Sequence, residues 1–75
     1  MNITVLGAGA WGTAMAISLA ARHSVVLWGR KHSVIVEAKK TGQNRVGLPG
    51  FTLPDSLQLT ADFKSAVSHA AGPEG

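Results

Sequence analysis

The sequence contains no cysteine, and this absence narrows the chemistry available to the chain. It excludes disulfide bonds and thiol catalysis, and it agrees with a reducing compartment, so we expect a cytoplasmic protein. His23, His32 and His69 have neither the spacing of metal ligands nor a neighbouring carboxylate cluster. Asp55 and Asp62 lack a partner with which to form an acid–base pair. The sequence therefore indicates no metal site and no catalytic residue among its own residues.

Long hydrophobic runs and clustered positive charge are also absent. The uncharged stretch 3–21 is interrupted by glycines, threonines and a serine, and no Lys or Arg precedes it, which argues against a signal peptide or a membrane span. The net charge of +3 comes from scattered residues that are not interleaved with aromatic side chains. With 45% hydrophobic and 15% charged residues, the composition is that of a soluble globular protein without nucleic-acid or membrane partners.

A glycine-rich run, Gly7-Ala8-Gly9-Ala10-Trp11-Gly12, lies between an apolar stretch typical of a strand (3–6) and an alanine-rich stretch typical of a helix. Gly7 would make the tight turn off the strand, Gly9 would let the backbone approach a pyrophosphate, and Gly12 would let helix and strand pack closely. The pyrophosphate would rest on the helix N-terminus, where free N–H groups favour an anion. A structural turn that binds nothing is the alternative.

Three strands, at 3–6, 25–28 and 57–59, are predicted from short apolar or alternating stretches. A complete dinucleotide-binding fold has roughly six parallel strands. We therefore predict an α/β fold that is the first half of a Rossmann-type doubly wound parallel sheet, with residues 1–75 forming the N-terminal part of a dinucleotide-binding domain. A chain of this kind is expected to be a fragment.

The first helix is predicted at about 11–22, with Ala14, Ile17 and Ala21 sharing the packed face. Arg22 and His23 would lie at its C-terminal end, where positive charge suits the helix dipole. No glycine follows, so the turn must form without a left-handed residue.

Ser33 could cap a second helix that carries Lys39 and Lys40 in its last turn and ends at Gly42, although Val34-Ile35-Val36 also fits a strand. Prolines and glycines predict an irregular connection over 43–56. A third helix would follow, with Phe63, Ala66, Val67 and Ala70 at helical spacing, Thr60 or Asp62 as its cap, and Gly72-Pro73 as its stop.

The residues after the second strand bear on the type of cofactor. NAD-binding versions of this fold place an Asp or Glu there for the ribose hydroxyls, whereas this chain reads Trp28-Gly29-Arg30-Lys31. Arg30 could bind a ribose 2′-phosphate through two parallel hydrogen bonds, with Lys31 beside it. This pattern favours NADPH over NADH, although NAD and FAD stay open and a solvated basic turn is the alternative.

Three groups of segments carry a resemblance to a known family: the stretch from Ile3 to Ala14; Val26-Leu27-Trp28-Gly29-Arg30; and Asn44 with Leu48-Pro49-Gly50 and Leu53-Pro54. They resemble the N-terminus of bacterial NAD(P)-dependent sn-glycerol-3-phosphate dehydrogenase, and the similarity extends to about residue 68. The resemblance implies an oxidoreductase that reduces dihydroxyacetone phosphate, a small phosphorylated substrate, to glycerol 3-phosphate for phospholipid synthesis. It places Ala10, Trp11 and Arg30 at cofactor-contacting positions, with Lys31 beside them. It also implies catalytic lysines in a helical substrate domain that is absent from this chain.

The sequence departs from that family at two places. Gly47 stands where the family usually has an aromatic residue before Leu-Pro-Gly, so the packing of this loop is open to question. The family continues after Ala70 into another apolar strand, whereas residues 71–75 resemble a premature or frame-shifted end. A non-catalytic nucleotide-binding module, an inactive remnant and a fragment of another dehydrogenase therefore stay open as alternatives.

Overall fold

A computed structural model describes residues 1–71 of the chain. Along the chain it contains β1 (Asn2–Leu6), α1 (Ala10–Ala20), β2 (Ser24–Trp28), α2 (His32–Thr41), β3 (Gln58–Thr60) and α3 (Phe63–Ala70). The strands form a parallel sheet in the order β1-β2-β3. The predicted α/β class and parallel sheet are confirmed. The predicted stop at Gly72-Pro73 lies outside the described residues.

The central strand β2 supplies much of the hydrophobic core. Val25, Val26 and Leu27 are all buried, as expected for a parallel strand that is covered on both faces. In the register of the sheet, Leu6 of β1 lies beside Trp28 of β2, so both strands end at the same edge. The carboxyl ends of parallel strands are where α/β folds bind ligands, and the glycine-rich run begins at this edge.

Helix α1 packs on the sheet through a different face from the one predicted. Of the three predicted residues, Ile17 packs against the core, whereas Ala14 and Ala21 are exposed; the buried residues are Thr13, Ala16 and Ala20. The prediction was wrong for Ala14 and Ala21 because apolar residues surround this helix on all sides, so their spacing does not select one face. A helix that is rich in alanine can pack closely on the sheet with either choice.

The end of α1 also differs from the prediction. The helix stops at Ala20, so Arg22 and His23 lie beyond its last turn. Their backbone amides both donate to the Leu19 carbonyl, at 3.1 and 3.0 Å, and Ala21 keeps right-handed backbone angles. The expectation that no left-handed residue is needed here is confirmed.

Helix α2 is confirmed as a helix rather than a strand, but Ser33 does not cap it. Lys31 occupies the N-cap position through its backbone, and no side chain caps this end. Lys39 and Lys40 lie in the last turn, and Gly42 ends the helix with φ +73°, as predicted. The irregular connection that follows is also confirmed, since it contains no helix or strand beyond one isolated bridge between Gln43 and Thr52.

Helix α3 begins with a side-chain cap and packs against β1 and β2. Asp62 accepts hydrogen bonds from the backbone amides of Lys64 and Ser65, so the predicted Asp62 cap is confirmed. The ring of Phe63 contacts Trp28 edge-on, with 5.2 Å between the ring centroids. The Thr4 hydroxyl of β1 donates to the Ala66 carbonyl over 2.6 Å. The third strand lies one residue later than predicted.

Candidate functional site

The glycine-rich run begins with a turn that requires glycine. Gly7 has φ +114°, a conformation that residues with a side chain rarely adopt. Its amide donates to the Trp28 carbonyl over 2.9 Å, so the backbone stays bonded to β2 as it leaves β1. The structure thus agrees with the predicted tight turn.

Gly9 lies at the N-cap of α1, and the Gly9 carbonyl accepts the first helical hydrogen bond from the Thr13 amide, over 2.9 Å. An added Cβ at Gly9 would meet nothing within 4 Å, so the space in front of the helix is open. No side chain caps this helix, and its first turn contains no acidic residue. The first-turn amides, including those of Ala10 and Trp11, therefore point toward open space with the positive end of the helix dipole behind them. This geometry suits an anion.

Gly12 is required for a different reason, which is the contact between helix and strand. A Cβ at this position would overlap the Gly7 carbonyl oxygen and lie 3.4 Å from Val5 Cγ1. The helix can start this close to β1 only without a side chain here. The structure agrees with the predicted packing role.

Arg30 and Lys31 lie at the end of β2, beside the glycine-rich turn. Together with Ala8, Val34 and Val46 they line an open cavity of about 210 Å³. The structure therefore brings the two predicted cations and the glycine-rich turn to one site. Both cations are exposed.

Gly29 makes this arrangement possible, and the sequence analysis did not identify its role. A Cβ at Gly29 would lie 2.7 Å from Ile35 Cδ1 and 3.1 Å from the Ala8 side chain. The Gly29 amide donates to the Thr60 carbonyl over 3.0 Å, which continues the pairing of β2 with β3. The missing side chain lets α2 approach the glycine-rich turn.

The cavity beside the glycine-rich turn is lined by two positively charged side chains. Within residues 1–71 the structure contains one ion pair, between Arg45 and Glu37 at 3.9 Å. In that part of the chain no carboxylate pairs with Arg30 or Lys31. Elsewhere in the described chain, the pKa of Asp62 is lowered chiefly by the hydrogen bond from the Ser65 hydroxyl and also by backbone amides at the start of α3.

Trp11 is 88% exposed in the first turn of α1. An aromatic side chain of this size that packs on no core is available to a ligand or to another part of a larger protein. Its predicted contact with a cofactor remains a prediction.

Asn44 has a structural role that the sequence analysis missed. Asn44 is only 2% exposed, and its Nδ2 donates to the Ala8 carbonyl over 2.7 Å and to the Thr13 hydroxyl over 2.8 Å. Its Oδ1 accepts from the Gly47 amide over 3.0 Å. A buried, hydrogen-bonded asparagine that contacts the glycine-rich turn is recognisable only once the fold is known, because its partners are distant in the sequence.

The departure at Gly47 is accommodated in this fold. A Cβ there would overlap the Ala8 carbonyl oxygen and lie 2.6 Å from Asn44 Nδ2. The loop packs directly on the glycine-rich turn because residue 47 has no side chain. The packing of the loop, which the sequence left open, is therefore backbone against backbone.

Other parts of the described chain carry less chemistry. A cavity of about 460 Å³ lies between the end of α2 and the loop before β3, and its charged lining residues are Lys39 and Asp55. Residues 1–71 contain no group of three side chains suited to a metal ion. No helix in the same part of the chain is long and apolar enough to cross a membrane.

Comparison with known proteins gives the family. The sequence model described as NAD-dependent glycerol-3-phosphate dehydrogenase N-terminus matches residues 2–72. The chain belongs to this family. The resemblance inferred from the motifs is thereby confirmed, together with NAD or NADP as the class of cofactor.

Individual members of the glycerol-3-phosphate dehydrogenase family support this assignment. The chain is 61% identical over 75 residues to glycerol-3-phosphate dehydrogenase [NAD(P)+] of Herminiimonas arsenicoxydans and 53% identical to that of Janthinobacterium sp. (strain Marseille), and each match covers all of this chain and 22% of the relative. A crystal structure of glycerol-3-phosphate dehydrogenase from Coxiella burnetii matches with a TM-score of 0.81 and 35% identity, covering 89% of this chain and 21% of that one. The chain spans about a fifth of the length of these relatives.

Proposed function

We propose that the chain is the cofactor-binding portion of a cytoplasmic enzyme that reduces dihydroxyacetone phosphate to sn-glycerol 3-phosphate with NAD(P)H. One observation carries the proposal. A turn that favours glycine contributes Ala8 to a cavity lined by two exposed cations, neither of which has an ion-pair partner within residues 1–71, in a chain of this dehydrogenase family. The lack of cysteine supports the cytoplasmic placement.

The residues at this site match the parts of a phosphorylated dinucleotide. Gly9, Ala10 and Trp11 would hold the pyrophosphate on the helix N-terminus, and Gly7 and Gly12 would keep the backbone in the required shape. Anionic oxygens at this place would gain hydrogen bonds from free amides without displacing a side chain. The open space in front of Gly9 supports this role.

Arg30 would bind the ribose 2′-phosphate of NADPH, with Lys31 adding positive charge. A planar guanidinium can donate two parallel hydrogen bonds to a phosphate, and Arg30 has no carboxylate partner within residues 1–71 to compete for them. The side chains of Val34 and Val46 supply apolar walls to the same cavity. We infer that the site prefers NADPH to NADH.

The chain's contribution to the reaction is binding and orientation. When bound, a reduced nicotinamide supplies the hydride that a ketone substrate accepts. The described residues hold the phosphates of such a cofactor and set its direction across the sheet edge. No residue of this chain is assigned to catalysis, and we propose that residues 1–75 contain none of the helical substrate domain that would bind the phosphorylated substrate.

The proposal can be tested in a chimera, defined as the Herminiimonas arsenicoxydans relative with its matching segment replaced by this chain. We expect the purified chimera to reduce dihydroxyacetone phosphate and to bind NADPH more tightly than NADH, as measured by nucleotide fluorescence. The relative itself serves as the control for the host protein. A chimera that melts cooperatively yet binds neither nucleotide would refute the proposed function.

A further inference from the structure

The side chain of Asn44 connects two parts of the site that the chain builds separately. On one side, Nδ2 donates to the Ala8 carbonyl, in the middle of the glycine-rich turn, and to the Thr13 hydroxyl in the first part of α1. On the other side, Oδ1 accepts from the Gly47 amide, next to the Val46 wall of the cavity. One amide group therefore contacts the glycine-rich turn, the start of α1 and the loop beside the cavity.

The chemistry of this connection requires an amide. Two donors and one acceptor are used at once, and only asparagine or glutamine provides both kinds of group in a planar amide. A carboxylate could not donate to the Ala8 carbonyl, and an alanine would leave the partly buried Gly47 amide and the buried Thr13 hydroxyl without this partner. Because Thr13 also donates its backbone amide to the Gly9 carbonyl, a shift of Thr13 would move the N-cap of α1.

We propose that Asn44 is a positioning residue that fixes the glycine-rich turn and the 43–47 loop relative to each other. This inference rests on the proposed function, since it assigns the two fixed parts to one dinucleotide. Asn44 is buried beneath the turn and acts through Ala8, Thr13 and Gly47. Its effect is to hold the pyrophosphate and adenosine sites at a constant separation.

This role predicts that ligands respond according to how much of the site they span. NADPH needs both parts at the correct separation, whereas adenosine 2′-monophosphate would be held chiefly through its phosphate by Arg30, to which Asn44 makes no hydrogen bond. Loosening the connection should therefore weaken NADPH binding and leave the smaller ligand almost unchanged. A purely structural role would weaken both ligands together, in proportion to the protein that is unfolded.

The test uses the 75-residue chain and the chimera, each as the original sequence and as Asn44→Ala. We expect the substitution to weaken NADPH binding about tenfold, as expected when a buried hydrogen-bonding network is opened. The inhibition constant of adenosine 2′-monophosphate, measured by displacement of NADPH, should change by less than about threefold. Far-UV circular dichroism at the same temperature confirms that each variant is folded.

A matched pair at Thr13 keeps the test decisive if Asn44→Ala does not fold. Thr13→Val keeps the shape but removes the hydroxyl that accepts from Asn44, whereas Thr13→Ser keeps the hydroxyl. We expect the valine variant to lose NADPH affinity selectively and the serine variant to retain it. Equal weakening of both ligands, or no weakening of either, would overturn the positioning role. Failure of the unsubstituted chimera to bind NADPH would instead refute the proposed function, and this inference with it.

Discussion

Replacing Arg30 with alanine tests the proposed cofactor preference most directly. In the structure Arg30 is exposed, lines the cavity beside the glycine-rich turn and has no ion-pair partner within residues 1–71. The substitution therefore breaks no internal contact of this kind, and we expect the chain to keep its stability. Its effect should fall on the ligand alone.

The expected magnitude follows from the chemistry of the guanidinium–phosphate pair. Losing a hydrogen bond to a charged group costs about 1.5–3 kcal/mol, which corresponds to about 10- to 150-fold in affinity. Because Arg30 is solvent-exposed, water and salt screen the pair, so we expect a value near the lower limit. NADH has no 2′-phosphate, so its affinity should stay nearly unchanged.

In the assay, the chimera is titrated with NADPH and with NADH at two salt concentrations, and binding is monitored by nucleotide fluorescence. Lys40→Ala is the matched control, because Lys40 is also exposed, carries the same charge and lies in the last turn of α2. We expect the control to bind both nucleotides normally. Equal losses for NADPH and NADH in Arg30→Ala would refute the assignment of Arg30 to the 2′-phosphate.

Three further predictions concern the turn, the cap and the isolated chain. Gly12→Ala should lower the melting temperature, at a cost of about 1–3 kcal/mol, because its Cβ overlaps the Gly7 carbonyl. Gly9→Ala should keep the original melting temperature. Equal melting temperatures for Gly12→Ala and Gly9→Ala would contradict the steric argument. The larger substitution Gly9→Val should stay folded but lose NADPH binding. The Asp62 cap should stabilise α3 fully above about pH 4 and lose its effect as the pH falls through its lowered pKa. Asp62→Ala should lack this acid-dependent loss in circular dichroism melts, and an identical pH profile would count against the cap. Finally, the 75-residue chain alone should reduce no dihydroxyacetone phosphate. It should also associate as its concentration rises, because β1 has no second strand partner within residues 1–71. Turnover by a cooperatively melting monomer would disprove both expectations.

Elements whose signals are local were predictable from the sequence. The helix end at Gly42 and the cap at Asp62 depend on residues within one turn, and both are as predicted. The requirement for glycine at Gly7 and Gly12 also arises inside one strand–turn–helix unit. These features need no knowledge of the rest of the fold.

Features that depend on burial were harder to predict from the sequence. The buried face of α1 was predicted wrongly because alanines and other apolar residues surround this helix, and only its contact with the sheet selects Thr13, Ala16 and Ala20. The Ser33 cap was wrong because α2 begins at His32 with Lys31 as its N-cap, two residues earlier than a Ser33 cap implies. Both errors arise where the surrounding fold, rather than the local sequence, decides between similar options.

The parts of the site that hold the glycine-rich turn in place come from distant segments, which explains why a motif search finds the turn but not its support. Asn44 is separated by 36 residues from Ala8 and by 31 from Thr13. The requirement for glycine at Gly47 likewise arises from the Ala8 carbonyl, which belongs to another segment. The glycine spacing thus describes the shape of the turn, whereas its packing involves the loop that begins at Asn44. If this reasoning is correct, substitutions in that loop will change dinucleotide affinity even though its asparagine is buried beneath the turn.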